Sequence, residues 1–181
     1  ILKESHVLKD KFPIGIPVIN EGFTFTLEDT YSTLSKILEN IPKPFLTYIH
    51  LWPPHEPYRP PVKYYQALTD PVRYIEKTKS IFSQGFSQQH LVEQVKRYDE
   101  YIAYVDEETG KFVRQLEKNG KLDNTIMVIT SDHGQLFERG IHGHTTPAVY
   151  ESVIHIPLII KLPGQKRGVD IHTPTSAIDV L

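Results

Sequence analysis

The apolar, largely β-branched run Thr125-Ile126-Met127-Val128-Ile129 passes directly into Thr130-Ser131-Asp132-His133-Gly134-Gln135. A run without polar alternation predicts a strand covered on both faces, the kind that builds a largely parallel sheet in α/β proteins. Such proteins keep their chemistry where the strands end. At Gly134 the up-and-down alternation of a strand lapses, so Asp132 and His133 can both turn toward one cation. Taken alone, the same residues also fit a hydrogen-bonded turn with no ligand. The sequence beyond adds weight: His142-Gly143-His144 follows, and then a second apolar strand over 156–160. One aspartate and three histidines thus fall between two predicted strands.

With 181 residues, 39% of them hydrophobic, the chain can bury the core of one domain. Lysine and arginine (20) nearly balance aspartate and glutamate (22), the net charge is −2, and no run of like charge marks a surface for nucleic acid. Without cysteine there is neither a disulfide framework nor thiol chemistry, and redox usage names no compartment. No apolar stretch reaches the ~18–20 residues of a membrane span, and no targeting segment is covered, so periplasmic, secreted and cytoplasmic locations all stay open. Ile1 opens in mid-pattern, and 173–181 reads as the start of a helix. Residues 1–181 are therefore expected to be part of a single larger catalytic domain.

Thr26-Leu27-Glu28-Asp29 resembles a capping box, and Leu27, Tyr31, Leu34, Ile37 and Leu38 follow at helical spacing. A strand is expected over 45–51, ending in the proline-rich loop 52–61 that presents His55. Residues 62–86 are expected to form a helical excursion or a lid-like insertion. From Ser87, positions Leu91, Val95, Tyr98, Ile102, Val105, Thr109, Phe112 and Leu116 mark one long helix ending at Asn119-Gly120. Strand, helix, strand, loop, strand gives the fold class: α/β, a largely parallel sheet with helices on both faces.

These residues together resemble the sulfatase family of the alkaline phosphatase superfamily. The likeness runs through 98–106, 120–125 and 129–134, continues in Tyr150-Glu151 and 156–164, and includes the Pro-His-x-Pro-Tyr loop at 54–58. It covers most of 26–181 and implies an alkaline-phosphatase-like partial domain. By resemblance, Asp132 and His133 complete the coordination of a divalent cation, calcium in most sulfatases and manganese or zinc in phosphatase-like relatives. His55 is implied to contact the sulfate or the leaving-group oxygen. His144 stands where relatives commonly carry lysine, one residue early, and is implied to share that work; His142 is a candidate for orienting the loop. The family's formylglycine, made from Cys or Ser in a Cys/Ser-x-Pro-x-Arg motif, has no counterpart here and is expected outside this chain, with its N-terminal nucleophile region. The implied reaction is metal-dependent hydrolysis of a sulfate monoester on a small molecule or glycan. Phosphoesterase, phosphonate hydrolase and phospho-group transferase chemistry are the alternatives within the superfamily, and an inactive glycan-binding or structural relative is the alternative outside enzymology.

For each residue a structural reading stands beside the chemical one. Asp132 and His133 also fit a plain strand end, and Trp52 and Tyr58 are enough to cover a merely packed His55. His50 and His155 fall within strand runs and are expected in the core or behind the site. Arg59, Arg139 and Lys161 are candidate anion contacts.

Overall fold

A computed structural model of the chain describes residues 10–11, 18–20, 23–24, 26–65 and 76–180. The first helix, α1 (Leu27–Asn40), begins as its sequence demands: the Thr26 side chain accepts a hydrogen bond from the Asp29 N–H. Helix α2 (Gln88–Lys118) is capped by Ser87, which accepts from the His90 N–H at 3.2 Å. Its far end is a Schellman closure, with Gly120 at φ +65 and bonds from Gly120 N to Glu117 O and Lys121 N to Leu116 O, each 2.9 Å.

The two helices pack on each other through a seam rich in tyrosine. Tyr101 and Tyr104 are buried, whereas Ile102, expected on the core stripe, is 39% exposed. For Tyr104 the reason is polar. The Tyr104 hydroxyl donates to Glu28 Oε2 at 2.5 Å and accepts from the Leu27 N–H at 3.2 Å. It thereby satisfies one of the N–H groups that every helix start leaves unpaired. Tyr31 likewise shares a 2.7 Å bond with Thr109 across the seam and stacks on Phe112. Periodicity alone cannot rank a tyrosine with two partners above an isoleucine.

Short strands β1 (Val18–Asn20) and β2 (Phe23–Thr24) pair with each other. After α2 come β3 (Met127–Thr130), β4 (Leu136–Glu138), β5 (Ile141–Gly143), the single turn α3 (Glu151–Ile154) and β6 (Leu158–Lys161). β3 pairs antiparallel with β6, Met127 opposite Lys161 and Thr130 opposite Leu158. All sheets among the described residues are two-stranded and antiparallel, so the parallel pairing expected from the sequence is not found there. The segment between β3 and β6 holds only a hairpin and one helical turn, without the crossover helix that a parallel return needs.

The β3–β6 pair is also not covered on both faces: Val128 is exposed and Ile159 is 59% exposed. Nor do residues 45–51 form a strand. Leu46 and Tyr48 stand 97% and 86% exposed, with no neighbouring strand among the described residues to supply ladder partners. The expected excursion at 62–86 is one 3-10 turn at Val62–Tyr64 and an irregular stretch over 76–86; its middle lies outside the described residues. That stretch is tied to the β4–β5 turn, with Gln84 N donating to Gly140 O at 2.9 Å and Ser80 N to Arg139 O at 3.1 Å. In the turn both Arg139 (φ 58) and Gly140 (φ 76) have positive φ, the signature of a tight I′ hairpin.

Two contacts fix this region. The Gly134 N–H donates to Val153 O at 2.7 Å, pinning the loop after β3 onto α3. His142 packs against Phe137, Phe86 and His90, with its Nε2 buried and 3.6 Å from Glu56. Burial pushes the His142 pKa down; nearby His90 acts in the same direction, and Glu56 opposes them.

Three outcomes follow from this packing. Tyr104→Phe removes one partner of the part-buried Glu28 carboxylate and leaves a buried helix-start N–H unpaired, and urea denaturation should read a loss of about 1–3 kcal/mol. In Gly134→Ala a Cβ would lie 2.3 Å from the Ser152 carbonyl oxygen, so the loop must shift at a cost of about 1–3 kcal/mol. For His142, a pKa lowered on folding means that its contribution to stability is present above the unfolded value of about 6.5. That contribution is lost as pH falls from there through the folded value. The urea midpoint should therefore drop between pH 7.5 and 5.5, with a shallower slope in His142→Gln.

Candidate functional site

Three loops converge after this folding. The proline-rich loop brings His55, the turn after β3 brings Asp132 and His133, and the end of the β4–β5 hairpin brings His144. The His133 and His144 rings stack with centroids 3.9 Å apart and an interplanar angle of 22°. His55 stands edge-on to both, 5.3 Å from His144 and 6.4 Å from His133. Residues that the sequence spreads from 55 to 144 thus form one imidazole cluster.

Each ring is held by its Nδ1. His55 Nδ1 lies 2.8 Å from the Glu56 carbonyl oxygen, and His133 Nδ1 lies 2.8 Å from the Gly134 carbonyl oxygen. A carbonyl only accepts, so both rings carry a proton on Nδ1, and in the neutral form Nε2 presents a lone pair. His144 Nδ1 makes the third such contact, 3.2 Å from Gln135 Oε1. Burial, and after it the neighbouring His133 and His55, lowers the His144 pKa; Glu56 and Asp132 pull the other way. His144 is therefore mostly neutral near pH 7.

Asp132 keeps an exposed carboxylate whose Oδ1 accepts from the His133 N–H at 3.0 Å and lies 3.8 Å from His133 Nε2. A carboxylate oxygen and an imidazole lone pair at that separation fit two ligands of one divalent cation. Among the described residues, no group of three or more histidine, aspartate or glutamate side chains is arranged to hold a metal ion.

His142 lies behind the cluster, against Tyr58 and Phe137. His155, expected in the core or behind the site, is exposed, with the Glu151 carboxylate 3.7 Å away; His50, of which the same was expected, is exposed too and touches Tyr48. Neither belongs to the cluster, because the strands expected to bury them are absent or half-open. Arg139 is taken up by Glu138 and the Thr78 carbonyl.

Two further residues stand at the site without a signal in their local sequence. Tyr58, treated only as cover for His55, is buried, and its hydroxyl accepts from Gln135 Nε2 at 2.9 Å. Gln135 closes the Thr130–Gln135 motif and carries no role expected from the sequence. The Arg139-Gly140 pair between two apolar runs was the available signal for a hairpin, and a hairpin would have set Gln135 across from His144. Beside Tyr58 lies an open cleft of about 340 Å³ lined by Glu56, Arg59, Gln94 and Arg97.

No helix among the described residues is long and apolar enough to cross a membrane. The Ulvan-active sulfatase of Formosa agariphila is 26% identical over 158 residues, spanning 86% of this chain and 30% of that protein. An uncharacterized sulfatase of Escherichia coli is 30% identical over 156 residues, 77% of this chain and 30% of its own length. The chain thus spans about a third of these relatives. The structure of a phosphonate monoester hydrolase from Silicibacter pomeroyi superposes with a TM-score of 0.62 at 24% identity, over 91% of this chain and 40% of that one. That match bears out the alkaline-phosphatase-like fold. With the Sulfatase family model matching residues 21–181, the chain belongs to the sulfatase family.

Proposed function

We propose that this chain supplies part of the active site of a metal-dependent sulfate monoester hydrolase. The observation that carries the reading is the convergence of His55, His133 and His144 beside the exposed Asp132 carboxylate. Asp132 and His133 would hold one side of a divalent cation, with calcium the first choice for an oxygen-containing site and manganese or zinc admitted by the imidazole. The remaining ligands, and a formylglycine nucleophile, would come from residues beyond those of this chain. The bound cation would neutralise charge on the transferred group.

The chain's own side chains have separable tasks. With Nδ1 fixed on the Glu56 carbonyl, any second proton on His55 sits at Nε2, where it can pass to the departing oxygen. Neutral His144 offers its Nε2 lone pair as a proton acceptor in the same space. Arg59 and Arg97, in the cleft that shares Tyr58 with this cluster, suit further anionic groups of a sulfated small molecule or glycan. The exposed β3–β6 pair and the unpaired 45–51 segment leave apolar edges on which a larger, largely parallel sheet would assemble.

In the catalytically competent protein, Asp132→Ala should lower divalent-metal affinity at least ~10-fold and abolish turnover of a nitrophenyl sulfate. Calorimetric titration with calcium and with manganese measures the first effect, and unchanged affinity for both would leave Asp132 a structural residue. His55→Ala should lower kcat by ~10²–10⁴-fold with metal content preserved. The loss should shrink as the leaving group becomes more acidic; a uniform loss across the series would exclude proton donation by His55. Hydrolysis of a phosphonate monoester in preference to the sulfate would transfer the same site to the phosphonate hydrolase alternative.

A further inference from the structure

His55 and His133 have their Nδ1 protons fixed by backbone carbonyls next to them in sequence. The contact made by His144 is different in kind: its Nδ1 faces a side-chain amide from the opposite strand of the hairpin. The placement follows from register. Leu136 is paired with Gly143 in the β4–β5 ladder, and one step beyond that pair Gln135 stands across from His144.

The other end of the amide is anchored. Gln135 Nε2 donates to the Tyr58 hydroxyl at 2.9 Å, and Tyr58 is 5% exposed with its ring against Tyr98 and Phe137. Burial raises the Tyr58 pKa, so its hydroxyl stays protonated and uncharged wherever the protein works. With the amide nitrogen on Tyr58, the amide oxygen faces the imidazole. An oxygen there requires a proton on Nδ1 and leaves Nε2 bare. If the amide were reversed, its NH2 would meet Nδ1 and the imidazole proton would move to Nε2. Amide orientation and histidine tautomer are thus one linked choice.

We infer that Gln135, anchored by Tyr58, is a positioning residue that holds His144 in its Nδ1–H tautomer so that the Nε2 lone pair faces the reacting group. The tautomer assignment rests on the hydrogen bonds alone; its catalytic meaning rests on the function proposed above. An amide in this position does by side chain what neighbouring carbonyls do for His55 and His133. Unlike a carbonyl, it can be tested by substitution.

The experiment is nitrogen NMR of the ¹⁵N-histidine-labelled protein at a pH above imidazole titration, where the two ring nitrogens report the tautomer directly. Wild type should show His144 with a protonated Nδ1 and a bare Nε2. Gln135→Leu should shift it toward the Nε2–H form that a free imidazole prefers, and Tyr58→Phe should shift it partway. Gln135→Glu, which keeps an acceptor on Nδ1 while Tyr58 turns to donate, should restore the wild-type signature. Should Gln135→Leu fail to fold, the wild-type, Gln135→Glu and Tyr58→Phe spectra still decide. A wild-type His144 protonated on Nε2, or a signature unmoved by loss of either the amide or the phenol hydroxyl, overturns the inference. In the competent protein Gln135→Leu should lower kcat by ~10²-fold or more at nearly constant KM, with recovery in Gln135→Glu. If sulfate esters are not turned over at all, the functional reading fails while the spectroscopic result stands.

Discussion

The burial of the Tyr58 ring joins α2, the β4–β5 hairpin and the proline-rich loop behind the site. It packs on Tyr98 of α2 and on Phe137 and His142 of the β4–β5 hairpin, while its own loop carries His55. Aromatic rings of this size dominate local packing energy, and a buried phenol hydroxyl still needs a partner. Gln135 supplies it, and through Gln135 the core reaches His144. One side chain therefore links helix, hairpin and loop apolarly, and the imidazole cluster by hydrogen bond. Loosening it would disturb His55 and His144 together.

Around that anchor the molecule divides into two regimes. The α1–α2 seam is closed, with Leu27, Tyr101 and Tyr104 essentially inaccessible and the Tyr104 hydroxyl paired with Glu28 and the Leu27 N–H. The β3–β6 pair and residues 45–51 are open, presenting Leu46, Tyr48, Ile126 and Ile159. The site lies where the regimes meet. His133 and Asp132 leave the end of the open strand pair, and His144 leaves the hairpin that α2 supports. All three rings are tethered through Nδ1, while the Asp132 carboxylate at the end of the open pair is exposed.

Much of the local structure was legible in the sequence. The Thr26 and Ser87 starts, the Gly120 stop and the span of α2 came from capping chemistry and periodicity, which depend on residues a few places apart. Asp132, His133, His144 and His55 were legible as a group only through their resemblance to the sulfatase family. Their spacing alone equally allowed a satisfied turn. Ile102 is exposed where the apolar stripe expects burial and Tyr104 is buried instead, because apolar periodicity does not register a hydroxyl that finds its partners on another helix.

The sequence by itself determined where α1 and α2 begin and end, which loops hold the Asp-His and histidine motifs, and that this chain offers no thiol. Only the tertiary structure decided that β3 meets β6 antiparallel, that 45–51 stays unpaired among the described residues, and that Tyr58 and Gln135 stand behind His144. The physical reason is range. A cap, a helical stripe or a tight turn is fixed by neighbours along the chain. A strand partner, the far end of a hydrogen-bonded amide or a histidine tautomer is fixed by whichever group arrives from a distant segment, and that arrival is settled only when the core closes.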